Sequence, residues 1–162
     1  MAEIFKQIFS GFNLAILGAA LATILAGIGS AKGVYLVATA ASGLLSENPS
    51  AFGKCIVLEA LPMTQGIYGL ITSFMILFKI GVIGGSPMAL ETADGAYFLL
   101  AALPIAIVGL YSGIKQGKVA ASGVVLLTKQ PNELGHAMTN AALVETYAIF
   151  AVLVSLLLIL FR

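Results

Sequence analysis

In the stretch Ala142-Leu143-Val144-Glu145-Thr146-Tyr147-Ala148-Ile149, one carboxylate lies inside a long apolar segment. Between His136 and Phe161, Glu145 is the only acidic or basic residue apart from His136 itself. A charge at the centre of a bilayer costs roughly 2.5–3.5 kcal/mol on insertion scales, so an ionisable side chain there usually has a function. Glu145 is therefore the first candidate functional residue. The alternative is that it is a protonated or hydrogen-bonded packing residue.

The composition is that of a membrane protein. Of the 162 residues, 60% are hydrophobic and 9% are charged, whereas soluble domains are about 45–50% apolar and about 25% charged. The mean hydropathy is +1.07. The net charge of +1 argues against a nucleic-acid partner, because binding nucleic acid requires a clustered basic surface.

Long apolar segments separated by short polar turns predict an all-α membrane protein with four transmembrane helices. The turn Ser46-Glu47-Asn48-Pro49-Ser50 follows the first helix, and Gln130-Pro131-Asn132-Glu133 precedes the fourth. We expect a first transmembrane hairpin in residues 1–83 and a second in residues 84–162. The predicted helices cover about residues 12–45, 51–82, 96–129 and 134–161.

The second predicted helix contains the polar stretch Leu61-Pro62-Met63-Thr64-Gln65-Gly66-Ile67-Tyr68-Gly69. Pro62 cannot donate a backbone hydrogen bond and should distort the local turn. Thr64, Gln65 and Tyr68 follow at a depth where water is absent, so their polar groups need partners. Together with Gln116 on the third helix, they can supply Glu145 with the oxygen ligands that a hard monovalent cation requires. The alternative is that these side chains hydrogen-bond to one another and hold the helices together.

The sequence also contains an internal repeat, which indicates a duplicated helical hairpin. Under this alignment Met63 occupies the place of Glu145, so only the second copy keeps the carboxylate. Because two offsets appear, we expect a first turn that is four residues longer than the third. The pairs are Phe12-Asn13-Leu14-Ala15 with Phe98-Leu99-Leu100-Ala101 and Gly27-Ile28 with Gly113-Ile114 at an offset of 86, and Ala60-Leu61 with Ala142-Leu143 and Thr64 with Thr146 at an offset of 82.

Small residues recur every three or four positions along the first and third predicted helices. This pattern allows helix backbones to approach closely in lipid. We expect these faces to pack between many copies of the chain, as in the inner wall of a ring. The residues are Gly11, Ala15, Gly18, Ala19, Ala22, Ala26, Gly29, Ser30 and Gly33 on the first helix, and Ala102, Ala106, Gly109, Gly113, Gly117, Ala120 and Gly123 on the third.

Four motifs on this duplicated hairpin resemble the proteolipid (K or c) subunit of V-type and A-type rotary ATPases, and they match best the sodium-translocating bacterial type. The resemblance covers nearly the whole chain, and its specificity comes from the order of the four motifs. They are Gly27-Ile28-Gly29-Ser30-Ala31-Lys32-Gly33, Leu61-Pro62-Met63-Thr64-Gln65-Gly66-Ile67-Tyr68-Gly69, Gln116-Gly117-Lys118-Val119-Ala120 and Val144-Glu145-Thr146-Tyr147-Ala148.

The resemblance implies a sodium site. Glu145 would carry the charge, Tyr68 would donate its hydroxyl to that carboxylate and lock it, and Met63 would narrow the site without changing its ligands. The remaining implied ligands are the side-chain oxygens of Thr64, Gln65 and Gln116 and the backbone carbonyl of Leu61.

The resemblance also implies partners. The chain would form a homo-oligomeric ring in membrane lipid, facing a stator subunit that carries an essential arginine, and would contact the central-stalk subunits. It would have no catalytic site of its own, because ATP is hydrolysed by the soluble head of the complex.

Other functions stay open at this point. Within the family, a proton-translocating ring would use the polar cluster only to hydrogen-bond a protonated Glu145. From a different class comes a self-contained small transporter or pore, which the small-residue faces disfavour. A purely structural four-helix protein leaves Glu145 unexplained. The size of the protein in mild detergent separates a ring from a self-contained transporter, because a ring is large and a transporter is small.

Basic residues near the loops predict the orientation. Five lysines lie toward the first and third loops, against three basic residues on the opposite side, so we expect those two loops in the cytoplasm and both termini outside the cell membrane. We interpret His136 as an interfacial residue rather than a ligand. The basic residues are Lys32, Lys54, Lys115, Lys118 and Lys129 on the first side, and Lys6, Lys79 and Arg162 on the second.

Overall fold

The computed structural model describes residue 4 and residues 8–162, and the secondary structure in this part of the chain is helical throughout. The second membrane span begins with a short 3-10 turn, Pro49–Ala51, and is interrupted by another, Leu61–Met63. The α-helices are α1 (Gly11–Glu47), α2 (Phe52–Ala60), α3 (Thr64–Lys79), α4 (Thr92–Lys129) and α5 (Leu134–Leu160).

The four predicted membrane helices are confirmed, with small differences at their ends. The spans Gly11–Glu47, Pro49–Lys79, Thr92–Lys129 and Leu134–Leu160 are each long and apolar enough to cross a bilayer. The third span begins four residues earlier than predicted, and the second ends at Lys79 rather than near residue 82. Gly81, whose φ is 76°, ends the second span because glycine readily adopts this left-handed conformation. Lys6, used above for the orientation, lies outside the described residues.

The predicted distortion at Pro62 is also confirmed. The span changes from α-helix to a 3-10 turn at Leu61–Met63 and resumes as α3 at Thr64. The cause is the proline ring, which removes a donor and clashes with the preceding turn of a regular helix. This break gives α3 an N-terminus of its own in the middle of the span.

The small-residue stripes of α1 and α4 pack against each other within one chain, and this is the most extensive helix contact in the protein. A Cβ atom added at Gly29 would lie 2.6 Å from the backbone oxygen of Gly109, and one added at Gly113 would lie 2.7 Å from the backbone carbon of Gly29. The stripes therefore have a partner in the same chain, which corrects the expectation that these faces pack between copies. Spacing alone shows that a face is smooth, but it does not show which helix covers that face.

The two hairpins repeat with turns of equal length. Asn48 and Gln130, which end α1 and α4, have nearly the same backbone angles, with φ and ψ of −137° and 84° for the first and −134° and 81° for the second. Each is followed by a proline. The prediction of a longer first turn, and with it the offset of 86, is wrong. A shift of four residues is about one helical turn, so a small-residue stripe still aligns with itself after the shift. This near-match produced the wrong offset.

The fold places a polar layer between two apolar clusters. One cluster lies toward the termini and includes Ala19, Ile76 and Ile105. The other lies toward the first and third loops, and it includes Leu58 and Val124. The polar layer contains the buried side chains of Ser30, Gln65, Ser112 and Gln116, and three further buried hydroxyls lie toward the termini: Thr72, Ser73 and Ser155.

The tight contact of α1 with α4 predicts different outcomes for two alanine substitutions on one helix. Gly29→Ala should destabilise the protein by about 1–3 kcal/mol, because overpacking forces the backbones apart. Gly27→Ala is the matched control, since a Cβ atom there meets nothing within 4 Å, and we expect no loss of stability. The measurement is the temperature at which each solubilised variant unfolds, and equal losses in both variants would contradict the packing described here.

Candidate functional site

Glu145 lies in the polar layer, and both of its carboxylate oxygens accept hydrogen bonds. Tyr68 donates its hydroxyl to Oε1 at 2.7 Å, and the Gln116 side-chain amide donates to Oε2 at 3.3 Å. The three residues come from α5, α3 and α4, so three helices converge on one carboxylate. Hydrogen bonds to a carboxylate oxygen are stronger than those to a neutral acceptor, so these two contacts restrain the Glu145 side chain.

Gln65 extends this network by one residue and leaves an acceptor over. Its amide nitrogen donates to Oε1 of Gln116, and both glutamines are fully buried. Within the described part of the chain, Oε1 of Gln65 has no hydrogen-bond partner. A buried acceptor in this state costs about 1–3 kcal/mol, so a partner for it would stabilise the site.

Thr64 and Leu61 supply two further oxygens, from the turn that precedes Gln65. The Thr64 hydroxyl donates to the Leu61 carbonyl oxygen at 3.1 Å, and the Thr64 backbone N–H donates to the same oxygen. These two groups lie at the 3-10 turn that precedes α3, within two turns of Tyr68.

Ser30, on α1, is a polar contact of this region that the sequence pattern marked only as a small residue. Its hydroxyl oxygen accepts a hydrogen bond from the backbone N–H of Gly66 at 2.7 Å. Ser30 is 8% exposed. The sequence contains a signal for this contact, a hydroxyl among alanines and glycines on a face that becomes buried. Each polar group on such a face needs a hydrogen-bond partner.

Two other expectations differ in outcome. Met63 is 51% exposed and lies beside Ala31 and Val34 on the outer surface, so the expectation that it narrows the site is wrong. Met63 is the last residue before α3, and from this position its side chain points toward the surface of the chain. His136 is exposed and pairs with Glu133, so it lies outside the network around Glu145.

The chemistry of the cluster suits a monovalent cation. It offers one carboxylate with amide, hydroxyl and carbonyl oxygens, which are hard ligands. No group of three or more His, Cys, Asp or Glu side chains that could hold a metal ion occurs among the described residues. Divalent and transition metals usually draw on several such ligands. The free oxygen of Gln65 fits a cation, which would give this acceptor a partner.

Comparison with known proteins yields one family and two relatives. The family model for the C subunit of ATP synthase matches residues 17–76 and, 82 residues further on, residues 99–158. The V-type sodium ATPase subunit K of Enterococcus hirae is 46% identical over 150 residues, which are 93% of this chain and 92% of that protein. The A-type ATP synthase subunit K of Methanocaldococcus jannaschii is 36% identical over 146 residues, which are 90% of this chain and 61% of that protein.

The hydrogen bond from Tyr68 predicts how accessible Glu145 is to reagents. Tyr68→Phe removes a donor to a charged acceptor, so we expect a hydrophobic carbodiimide to label Glu145 roughly tenfold faster. Tyr147→Phe is the control. Tyr147 is 66% exposed, so its substitution should leave the labelling rate of Glu145 unchanged. Mass spectrometry of the labelled peptide gives the rate. The same rate in Tyr68→Phe and the parent protein would show that this bond does not restrain Glu145.

Proposed function

The chain belongs to the family of ATP synthase C subunits, and on this basis we propose that it is the ion-carrying subunit of the membrane rotor ring of a V-type sodium ATPase. The relative from Enterococcus hirae, whose name specifies sodium, aligns over 93% of this chain. In this proposal the chain has no catalytic site. ATP hydrolysis in other subunits drives the ring, which turns in the membrane and carries sodium past a stator.

The sodium ion would be held by groups from both hairpins. Glu145 carries the negative charge, and Tyr68 locks its carboxylate from the neighbouring helix. The other proposed ligands are the side-chain oxygens of Thr64, Gln65 and Gln116 and the backbone carbonyl oxygen of Leu61.

The observation that carries this proposal is the free acceptor on Gln65, which is linked through Gln116 to a carboxylate that already accepts two hydrogen bonds. A site built for a proton alone needs one acceptor for one O–H donor, and further buried acceptors would be a cost. Sodium instead attracts every oxygen around it. A proton-carrying ring is therefore the second candidate within the family.

The bilayer gives the site its mechanism. With sodium bound, the charge of Glu145 is neutralised and the site can pass through lipid. Without sodium, the carboxylate would be stranded in hydrocarbon, so ion exchange must occur beside a polar surface. We propose a stator subunit with an arginine as that surface, with central-stalk subunits transmitting rotation to the ring. Each charge moved across the membrane corresponds to about 2.3 kcal/mol per 100 mV.

The proposed assembly is a ring of identical chains in the cell membrane, each made of one hairpin in residues 1–83 and another in residues 84–162. The first and third loops lie at the same end of the structure, because Lys54 donates a hydrogen bond to the Pro131 carbonyl at 2.6 Å. We propose that this end faces the cytoplasm, as the excess of lysines near these loops indicates.

Sodium should protect Glu145 from carbodiimide labelling in the purified ring, and the protection should weaken at acid pH because protons compete for the same carboxylate. Gln65→Ala removes a proposed ligand, and we expect it to raise the half-protecting sodium concentration about tenfold or more. Gln130→Ala, in an exposed turn, is the control. Mass spectrometry measures the labelling, and the size of the protein in mild detergent reports whether the ring is intact.

Labelling that ignores sodium at every pH, in a ring of normal size, would exclude the sodium site and leave the proton-carrying ring. A small particle of one chain would instead point to the self-contained transporter. If Gln65→Ala lowered ring stability and sodium protection equally, the glutamine would be acting in helix packing rather than as a ligand.

The orientation predicts which end of the chain is accessible from outside intact cells. Ser50→Cys in the first turn should resist a membrane-impermeant thiol reagent, whereas Ser86→Cys in the second loop should react. The single native cysteine, Cys55, is buried and therefore a small background. Reaction at Ser50→Cys and protection at Ser86→Cys would show the inverted topology.

A further inference from the structure

The hydrogen bond from Gly66 to Ser30 lies where the second span is broken. Gly66 is the third residue of α3, which begins at Thr64. The N–H groups in the first turn of a helix have no acceptor within that helix. The hydroxyl of Ser30 on α1 takes this role for Gly66 at 2.7 Å. Ser30 thus caps α3 from a different helix.

The glycine at position 66 allows this approach. A Cβ atom added there would lie 3.2 Å from the Ser30 hydroxyl oxygen and 3.3 Å from its Cβ atom. These separations are tighter than ordinary van der Waals contact, so an alanine at position 66 would require the Ser30 side chain to shift by a few tenths of an ångström. The serine, the glycine and the nearby proline therefore form one local arrangement that connects α1 to the start of α3.

The second hairpin provides an internal comparison, because it has the same serine without the same partner. Ser112 and Ala148 stand 82 residues after Ser30 and Gly66, and Val144 stands in the place of Pro62. α5 runs unbroken from Leu134 to Leu160, so the N–H of Ala148 lies in mid-helix and bonds along its own helix. Accordingly, the buried hydroxyl of Ser112 has no hydrogen-bond partner in the part of the chain that the structure describes.

The difference between the two hairpins indicates the function of the hydrogen bond between Ser30 and Gly66. The hairpin that breaks its helix and caps the break is the one that presents Leu61, Thr64 and Gln65 to the site. The hairpin with the unbroken helix contributes Glu145. The capping bond at Gly66 is adjacent in sequence to Gln65, so it fixes the backbone from which this side chain extends.

We propose that Ser30 is a positioning residue for the ion site: its hydroxyl, bonded to the Gly66 N–H, holds the first turn of α3 so that Thr64 and Gln65 face Glu145. This inference rests on the function proposed above and adds a residue of α1 to it. Ser30 does not contact the ion. Its contribution reaches the ion through the backbone of α3.

The test compares two serine substitutions of identical chemistry in the purified ring. Ser30→Ala removes a hydrogen bond, whereas Ser112→Ala, its counterpart in the second hairpin, removes a hydroxyl that makes none. We expect Ser30→Ala to raise the sodium concentration that half-protects Glu145 from carbodiimide about five- to tenfold. Ser112→Ala should change it less than about twofold. The pH dependence of labelling without sodium should be the same in both variants and the parent.

Gly66→Ala is a second variant that acts on the other side of the same bond, and it should weaken sodium protection in the same direction as Ser30→Ala. The temperature at which each ring dissociates serves as the structural readout. The inference is overturned if Ser30→Ala or Gly66→Ala forms a ring whose sodium protection equals that of the parent. It is also overturned if Ser30→Ala and Ser112→Ala weaken protection equally, or if Ser30→Ala lowers only the dissociation temperature.

Failure of this inference and failure of the proposed function have different signatures. Absence of sodium protection in the parent ring would remove the proposed function, and the role of Ser30 with it. Sodium protection in the parent that is unchanged by Ser30→Ala would remove the role of Ser30 alone.

Discussion

A carboxylate at mid-span must have each of its oxygens bonded where water is absent, and the rest of the structure follows from this constraint. Glu145 meets it with Tyr68 and Gln116, which come from two other helices. Side chains of that length reach one point only if the helices lie close together. The contact of α1 with α4, in which glycines allow backbone against backbone, brings the helices that close. The break at Pro62 lies within two turns of Tyr68 on the same span.

The features that the sequence predicted are those governed by local or one-dimensional physics. Four apolar segments of sufficient length predict four spans wherever they occur. A proline distorts its own helix regardless of its neighbours, so the turn at Pro62 could be predicted. The cost of a charge in an apolar segment singled out Glu145. Gln116 and Tyr68 were assigned to its surroundings, and the structure brings both of them into contact with it.

The features that the sequence left undetermined depend on what lies across a helix interface. A small-residue stripe looks the same whether its partner is in the same chain or in another copy, and it looks almost the same when shifted by one turn. The hydrogen bond of Ser30 needs a backbone donor on another helix, the N–H of Gly66 in the first turn of α3. The direction of the Met63 side chain depends on the geometry of the distorted turn before α3. Each of these required the relative placement of two elements, which no single segment encodes.

The glycine contact between α1 and α4 also has a mechanical consequence. At Gly29 and Gly113 one main chain rests on the other with no side chain between them, and closely packed interiors compress very little. The two hairpins should therefore move as one rigid unit, so that a force on either hairpin is transmitted to the other. Because Gln65 stands on one hairpin and Glu145 on the other, this stiffness keeps their separation constant under torque. Under the function proposed above, an ion would leave the site by side-chain rotation, a motion that is much faster than helix movement.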